Sequence, residues 1–496
     1  MPSRFCIKDG YRARGEARYF DDRPYAETEI VHQPDVYTLA AFVAARCGAD
    51  TIIDVGCGSA RKLMALEGVR RIGIDFGDNL DYCRQAFPSE TWIEADLERI
   101  DVPLIDDATA ARSVIVCADV IEHLVDPGRL LDRLADLSHR ARALMLTTPE
   151  RDRVRGLDHM GPPGNPSHVR EWNLQELERL LSGHGLDPTF IGLTVDNTVD
   201  LQKNTILAVV DQQVNAARRQ PPPVDFRPLA LVATYNDADI IEEIAVTLLD
   251  DGFDVHMIDN WSDDGTFEML TALRDRYPGL AIERFPADAP PPYYEWGAIL
   301  DRKSAIAAAH PGRWIVHQDS DEIRQSPWAD ITFRHGLAIA DKVGCNAVDF
   351  TVCDFRPVDD GFRPGEPLAR TLARFEFGKR SGHFSQVKAW KQGGEAVALA
   401  KSGGHNATFA GRRVFPYKFL LRHYPLRSPQ QARRKVFAER MTRFSPGERA
   451  KGWHIQYDGL RPDTSFLWPE GLIAFDAVNT RRDYLVELIS GIGIVR

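Results

Sequence analysis

The chain has 496 residues, too many for one hydrophobic core, so two or three domains are expected. Its shares of apolar (44%) and charged (27%) residues are those of an ordinary soluble globular protein. A net charge of −11 with no basic block disfavours a nucleic-acid partner, because neutralising phosphates takes cationic surface.

No stretch approaches the roughly 20 apolar residues needed to span a bilayer. The start, MPSRFCIKDG, carries no apolar core of a secretory signal. The seven cysteines are scattered without a C-x-x-C pair, which reads as reduced thiols and a cytoplasmic location. Cys57 and Cys117 stand in apolar runs and are expected to be buried. Arg433, Arg434 and Lys435 make a short basic patch, read as a solvated helix face.

In chain order, the strand-like runs TIIDV, RIGID, TWIEAD, SVIVCADV and ALMLTTP alternate with helical patterns. The segment QQVNAARRQPPPVDFRP interrupts them, and its three consecutive prolines favour a stiff, extended connection. The alternation then restarts with LALVATYN, DVHMIDN, LAIERF and RWIVHQDSD. The pattern predicts an α/β fold of two doubly wound domains, each a mostly parallel sheet with helices on both faces. The expected domains are 1–213 and 229–440, joined by a linker at 214–228. Residues 441–496 are expected to pack as an extension on the second domain, with Trp453, Tyr457 and Trp468 in packing. Ligands of such sheets sit at the carboxyl ends of strands, so the polar residues ending each run are the candidates.

The first run leads directly into Gly56-Cys57-Gly58, where missing Cβ atoms let a ligand approach the backbone. The third glycine of a dinucleotide fingerprint is Arg61 here, which argues against NAD. The next run ends in Asp75, a carboxylate able to accept both ribose hydroxyls of an adenosine. The third ends in Glu94-Ala95-Asp96-Leu97, with Asp96 positioned for an adenine amino group. The fourth ends in Asp119, followed by VIEHLVDP. This ordered set resembles class I methyltransferases, a Rossmann-like group that includes small-molecule O-methyltransferases, over roughly residues 30 to 210. The resemblance implies S-adenosyl-L-methionine over Gly56 and Gly58, with Asp54 at its methionine end, Asp75 at the ribose, Asp96 at the adenine, and Asp119 beside them. The loop DHMGPPGNPSHVREWNLQEL supplies His159 and His168, and the imidazole of either is suited by its chemistry to act as a base for an acceptor hydroxyl.

In the second half, strands end at Thr234-Tyr235-Asn236, at Asp259-Asn260 and at Asp319-Ser320-Asp321. Carboxylates one residue apart at a strand end suit a divalent metal shared with a diphosphate. T-Y-N, D-N-x-S-D-D-G-T and D-x-D in this order resemble GT-A fold glycosyltransferases, notably family 2, over roughly residues 229 to 425. That resemblance implies a nucleotide-sugar donor held by Tyr235, Asn236, Asp259 and Asp319, and Mn²⁺ or Mg²⁺ held by Asp319, Asp321 and His405. The acceptor, a glycan or small molecule, would meet a base, for which Asp354 stands first and Asp359, Asp360 and Glu376 compete. The E-D pair that supplies this base in family 2 is absent. Taken together, the two resemblances imply a bifunctional enzyme. The alternative is a methyltransferase with a non-catalytic binding domain.

Overall fold

A computed structural model describes residues 4–26, 28–100, 105–379, 384 and 386–494. The chain forms two compact units. One runs to Gln220 and takes in Val478–Gly493, and the other is built on Pro221–Ala477.

The first unit holds a seven-stranded sheet of β1 (Thr51–Val55), β2 (Arg70–Asp75), β3 (Thr91–Glu94), β4 (Ser113–Ala118), β5 (Ala143–Pro149), β6 (Phe190–Thr194) and β7 (Thr205–Val210). Its order is β3-β2-β1-β4-β5-β7-β6. The strands from β3 to β5 pair in parallel, and β7 runs antiparallel to both β5 and β6. β1 and β4 are buried along their whole length, which is why they read as continuous apolar runs. Ile53, Val55, Ile74, Ile115 and Leu144 meet Leu130, Leu131 and Leu134 of helix Gly128–Ser138 in one core. Cys57 and Cys117 are both buried, Cys117 within this core. The order changes direction between β1 and β4, so the crevice at their carboxyl ends is the natural ligand position. This Rossmann-like α/β arrangement is the one expected for the first half.

The second unit holds β8 (Leu229–Thr234), β9 (Asp254–Asp259), β10 (Leu280–Arg284), β11 (Trp314–Asp319), β12 (Glu322–Gln325), β13 (Ala347–Phe355), β14 (Arg374–Phe377), β15 (Gln386–Lys391), β16 (Phe419–His423) and β17 (Ile473–Ala474). Four strands, β10-β9-β8-β11, are parallel. β15 then pairs antiparallel with both β11 and β13, and β16 bridges β12 and β13. The sheet is therefore mixed where a mostly parallel one was expected. Among the described residues, no helix is long and apolar enough to cross a membrane.

Two expected boundaries shift. Residues Gln212–Arg218 are helical, because Asp211 accepts the Val214 amide hydrogen at 3.0 Å and caps the helix. Val214, Asn215 and Ala217 are buried, so this part of the expected linker belongs to the first unit and the prolines begin at the boundary. The end of the chain also departs from expectation. β17 pairs with β14 in the second unit, but helix Leu485–Ser490 returns to β6 and buries Leu485, Val486, Leu488 and Ile489. Gly192 permits the approach, since a Cβ there would stand 2.4 Å from the Arg482 carbonyl oxygen. Lys203 secures the return by donating to the Asp483 carbonyl at 2.8 Å and pairing with Glu487. Because these apolar side chains are buried within the first unit, Ile489→Ala should cost about 2–5 kcal/mol of that unit's stability. Urea denaturation checks this, and an unchanged midpoint would show that the returning helix contributes nothing.

Candidate functional site

At the end of β1 the chain turns through Gly56 (φ 78°) and Gly58 (φ 54°), backbone that side chains rarely adopt. A Cβ on Gly56 would meet Val120 Cγ2 at 2.4 Å, so the turn can approach the β4 end only as glycine. Gly58 donates its amide hydrogen to Asp75 Oδ2 at 2.7 Å, and Phe76 donates to Asp75 Oδ1 at 2.8 Å. Each carboxylate oxygen keeps a second lone pair. Burial pushes the Asp75 carboxyl up to about 6, and the two amide donors oppose that rise. Asp54, fully buried on β1, accepts from the Tyr37 hydroxyl at 2.9 Å through Oδ2. Its Oδ1 has no hydrogen-bond partner among the described residues, and burial pushes the carboxyl up to about 7.

An orphaned acceptor, a cradle closed to any Cβ, and a carboxylate held by backbone amides are the features an adenosylmethionine needs. The Asp54 oxygen suits its ammonium group and the Asp75 oxygens suit its ribose. Asp96 lies beyond β3, partly exposed, accepting the Glu98 amide hydrogen at 3.0 Å and facing Arg99 at 3.7 Å. Asp119 directly follows β4 in a left-handed conformation (φ 56°) with Thr147 Oγ1 at 3.4 Å, and burial raises its carboxyl.

Sequence reasoning missed the strap that covers this turn. Asp22 Oδ2 accepts from the Ser59 amide at 2.8 Å and from the Ser59 hydroxyl at 2.6 Å. Asn79 donates to the Phe20 carbonyl at 2.9 Å, and the Phe20 ring lies 5.2 Å from that of His123. The segment has no hydrophobic periodicity, so no local pattern announces these contacts. Tyr37 was equally silent, one aromatic in an apolar helix.

The loop after β5 brings His168, but not His159, to the β4 side. His159 accepts the Gly161 amide hydrogen at 3.3 Å and edges against Tyr11. His168 stands against His123, ring centres 4.9 Å apart. Glu122 is fully buried. Its Oε2 accepts from the Thr148 hydroxyl at 3.0 Å, and its Oε1 has no hydrogen-bond partner among the described residues. Burial, reinforced by Asp119, pushes the Glu122 carboxyl well up. Burial and then the His168 charge push His123 down to about 4.

In the second unit, Asp319 ends β11 with Lys388 at 3.4 Å and Lys303 at 3.9 Å. Asp321 pairs with Lys435 at 2.7 Å and has His423 Nε2 at 3.7 Å. Burial alone would raise both carboxyls, but these lysine charges outweigh it and hold them well below the usual range. Lys303 is itself buried, and desolvation brings it down to about 7 against the pull of Asp319. Asp354 on β13 bonds His423 Nδ1 at 2.7 Å, so one imidazole links it to Asp321. Among its competitors, Glu376 pairs with Arg356 and Asp359 accepts the Gly361 amide hydrogen.

The expected metal set does not converge. Among the described residues, the one group of three Asp, Glu, His or Cys side chains whose ligand atoms lie within 4.8 Å of one another is Glu122, His123 and His168. The imidazole beside Asp321 is His423, not His405, because β16 pairs with β12 directly after the carboxylates. At the β8 and β9 ends, Arg443 lies 4.0 Å over the Tyr235 ring, and Asn236 donates to Asp263 at 2.8 Å. Asp259 accepts the Ser262 amide hydrogen at 3.1 Å, so it shapes the following turn.

Known proteins resemble the first half. The family described as "Methyltransferase domain" matches residues 29–189. A "Probable S-adenosylmethionine-dependent methyltransferase" of Mycobacterium tuberculosis is 30% identical over 155 residues, 30% of this chain and 54% of that protein. A "Ubiquinone biosynthesis O-methyltransferase" of Hahella chejuensis is 26% identical over 104 residues, 20% of this chain and 44% of that protein. A solved S-adenosylmethionine-dependent methyltransferase from Aquifex aeolicus aligns at 16% identity and a TM-score of 0.27, covering 39% of this chain and 98% of that one. The chain spans about half the length of the curated relatives it matches (54%). The N-terminal region of the chain is a methyltransferase domain of Rossmann-like α/β fold.

Proposed function

We propose that the first unit transfers a methyl group from S-adenosyl-L-methionine to a hydroxyl of a sugar or small molecule. The observation that carries this reading is the orphaned, buried Asp54 oxygen beside the glycine turn and Asp75. The cofactor supplies a methyl group on a positively charged sulfur, open to in-line attack. Asp54 holds the ammonium end, Asp75 accepts from the ribose hydroxyls, and Asp96 stands at the adenine edge. Asp119 and Val120 close the crevice from β4. The names of the two relatives, one adenosylmethionine-dependent and one an O-methyltransferase, support the reading.

His123 and His168 stand on the acceptor side with Glu122. A carbonyl oxygen only accepts, so the His123 Nδ1 that meets the Ser167 carbonyl at 3.1 Å carries the hydrogen. His168 Nδ1 likewise faces the Glu171 carboxylate at 2.7 Å. Both Nε2 atoms are therefore the nitrogens with lone pairs. His168→Ala should lower methyl transfer by about 100-fold or more with S-adenosylhomocysteine affinity intact. Transfer of a labelled methyl group to extracted acceptors checks this, and unchanged turnover removes His168 from the chemistry.

A second reading concerns the other unit: nucleotide-sugar binding and glycosyl transfer to a glycan or small molecule. Its support is the parallel run β10-β9-β8-β11, which sets Tyr235, Asp259, Asp319 and Asp321 along one sheet edge, with Asp354 reaching them through His423. Lys435 already neutralises Asp321, so a divalent cation must displace an ammonium to bind there. A nucleoside diphosphate at about 100 times its dissociation constant should stabilise this unit by roughly 2.7 kcal/mol. Thermal unfolding with UDP, GDP, CDP or dTDP, each with and without Mn²⁺, decides the matter. If none stabilises the protein, and Asp321→Ala changes nothing, the unit is not a nucleotide-sugar domain.

A further inference from the structure

We propose that Glu122, His123 and His168 form a binding site for one divalent transition-metal ion at the carboxyl end of β4. One ligand atom from each lies within 4.8 Å of the others, close enough to share an ion. The types match, since two imidazoles and a carboxylate suit Zn²⁺, Mn²⁺, Fe²⁺ or Co²⁺ and leave positions open for other ligands.

The surroundings of each ligand supply the independent observation. Metal-binding histidines characteristically donate their second ring N–H to a carbonyl or carboxylate, which fixes ring and tautomer. His123 does so to the Ser167 carbonyl at 3.1 Å, and His168 to Glu171 at 2.7 Å. Arg155, 3.4 Å from Glu171, holds that carboxylate in turn. Glu122 is wholly buried, and its Oε1 has no hydrogen-bond partner among the described residues. A buried acceptor in that condition calls for a ligand. None of the three is ion-paired to a lysine or arginine among the described residues, whereas Asp319 and Asp321 face Lys388, Lys303 and Lys435. One contact must give way, because the Asn165 amide donates to His168 Nε2 at 3.0 Å and a metal would take that lone pair.

The site follows Val120, whose side chain abuts the glycine turn, so an ion there stands on the acceptor side of the cofactor crevice. Its open positions suit oxygen ligands, and a substrate with two neighbouring hydroxyls can occupy two of them in a five- or six-coordinate ion. A hydroxyl bound to the ion gives up its proton more readily. This assignment of substrate class rests on the methyl-transfer reading, but the ion site itself does not.

The test uses the full chain after dialysis against a chelator, titrated with Co²⁺ and followed by its visible d–d absorption. About one equivalent should bind with a protein-specific band. His123→Ala and Glu122→Gln should abolish the band, while Asp321→Ala keeps it. Glu171→Gln should weaken Co²⁺ by about 10- to 100-fold, and Asn165→Ala should tighten it by freeing His168. Retained S-adenosylhomocysteine binding shows that each variant is folded. A band that survives His123→Ala, or no specific band in a chain that binds the homocysteine product, overturns the site. Co²⁺ binding without cofactor binding would instead overturn the methyl-transfer reading and leave the site standing.

Discussion

Gly58 gives its amide hydrogen to Asp75 at 2.7 Å, and the rest of the first unit is arranged around that bond. It ties the turn after β1 to the end of β2, and it is possible only because Gly56 and Gly58 adopt a left-handed backbone without a Cβ. The buried parallel strands on either side supply the rigidity. β1 and β4 are packed along their length, so the residues that follow them, Gly56 and Asp119, cannot drift. Three carboxylates, Asp54, Asp75 and Glu122, are thereby buried around one crevice, at an electrostatic cost only partly offset by hydrogen bonds. A cationic cofactor and a metal ion are ligands that would offset it.

The second unit treats its carboxylates in the opposite way. Asp319 and Asp321 are also buried, but ammonium groups from β15, from the helix before β11 and from the segment around Lys435 surround them. Buried pairs of this kind gain little over packed apolar groups, yet leaving one partner alone is costly. Lys435, read from sequence as part of a solvated face, is buried on Asp321. The basic patch was legible as charge, but nothing local in the chain revealed what it faces.

What the sequence reveals follows the same division. β1 and β4 are buried, largely apolar runs, and β2 has a buried apolar stretch before Asp75, so their ends, and with them the places of Asp54, Gly56, Gly58 and Asp75 in the chain, can be read from the pattern. Contacts made across long stretches of chain leave no such trace. Asp22 on Ser59, Tyr37 on Asp54, and the return of Leu485–Ser490 to β6 depend on tertiary packing. His159 and His168 are alike as letters in one loop. Only the folded loop, with Glu171 orienting one ring and Tyr11 edging the other, separates them. The helix at Gln212–Arg218 hid behind the prolines that follow it, although Asp211 was a readable cap.

The central claim is that the Asp54 and Asp75 carboxylates hold the cofactor, and calorimetric titration of S-adenosylhomocysteine between pH 8 and 5 tests it most directly. Both carboxyls are raised by burial, so each takes up a proton as the pH falls, Asp54 through about 7 and Asp75 through about 6. A protonated oxygen loses its charge and an acceptor position, so affinity should decline in two steps on acidification. Asp75→Asn should remove the lower step and weaken binding at pH 8 by about tenfold or more, since a hydrogen bond to a charged group contributes about 1.5–3 kcal/mol. Affinity that stays constant across this range, and is unchanged in both Asp54→Asn and Asp75→Asn, would contradict the account.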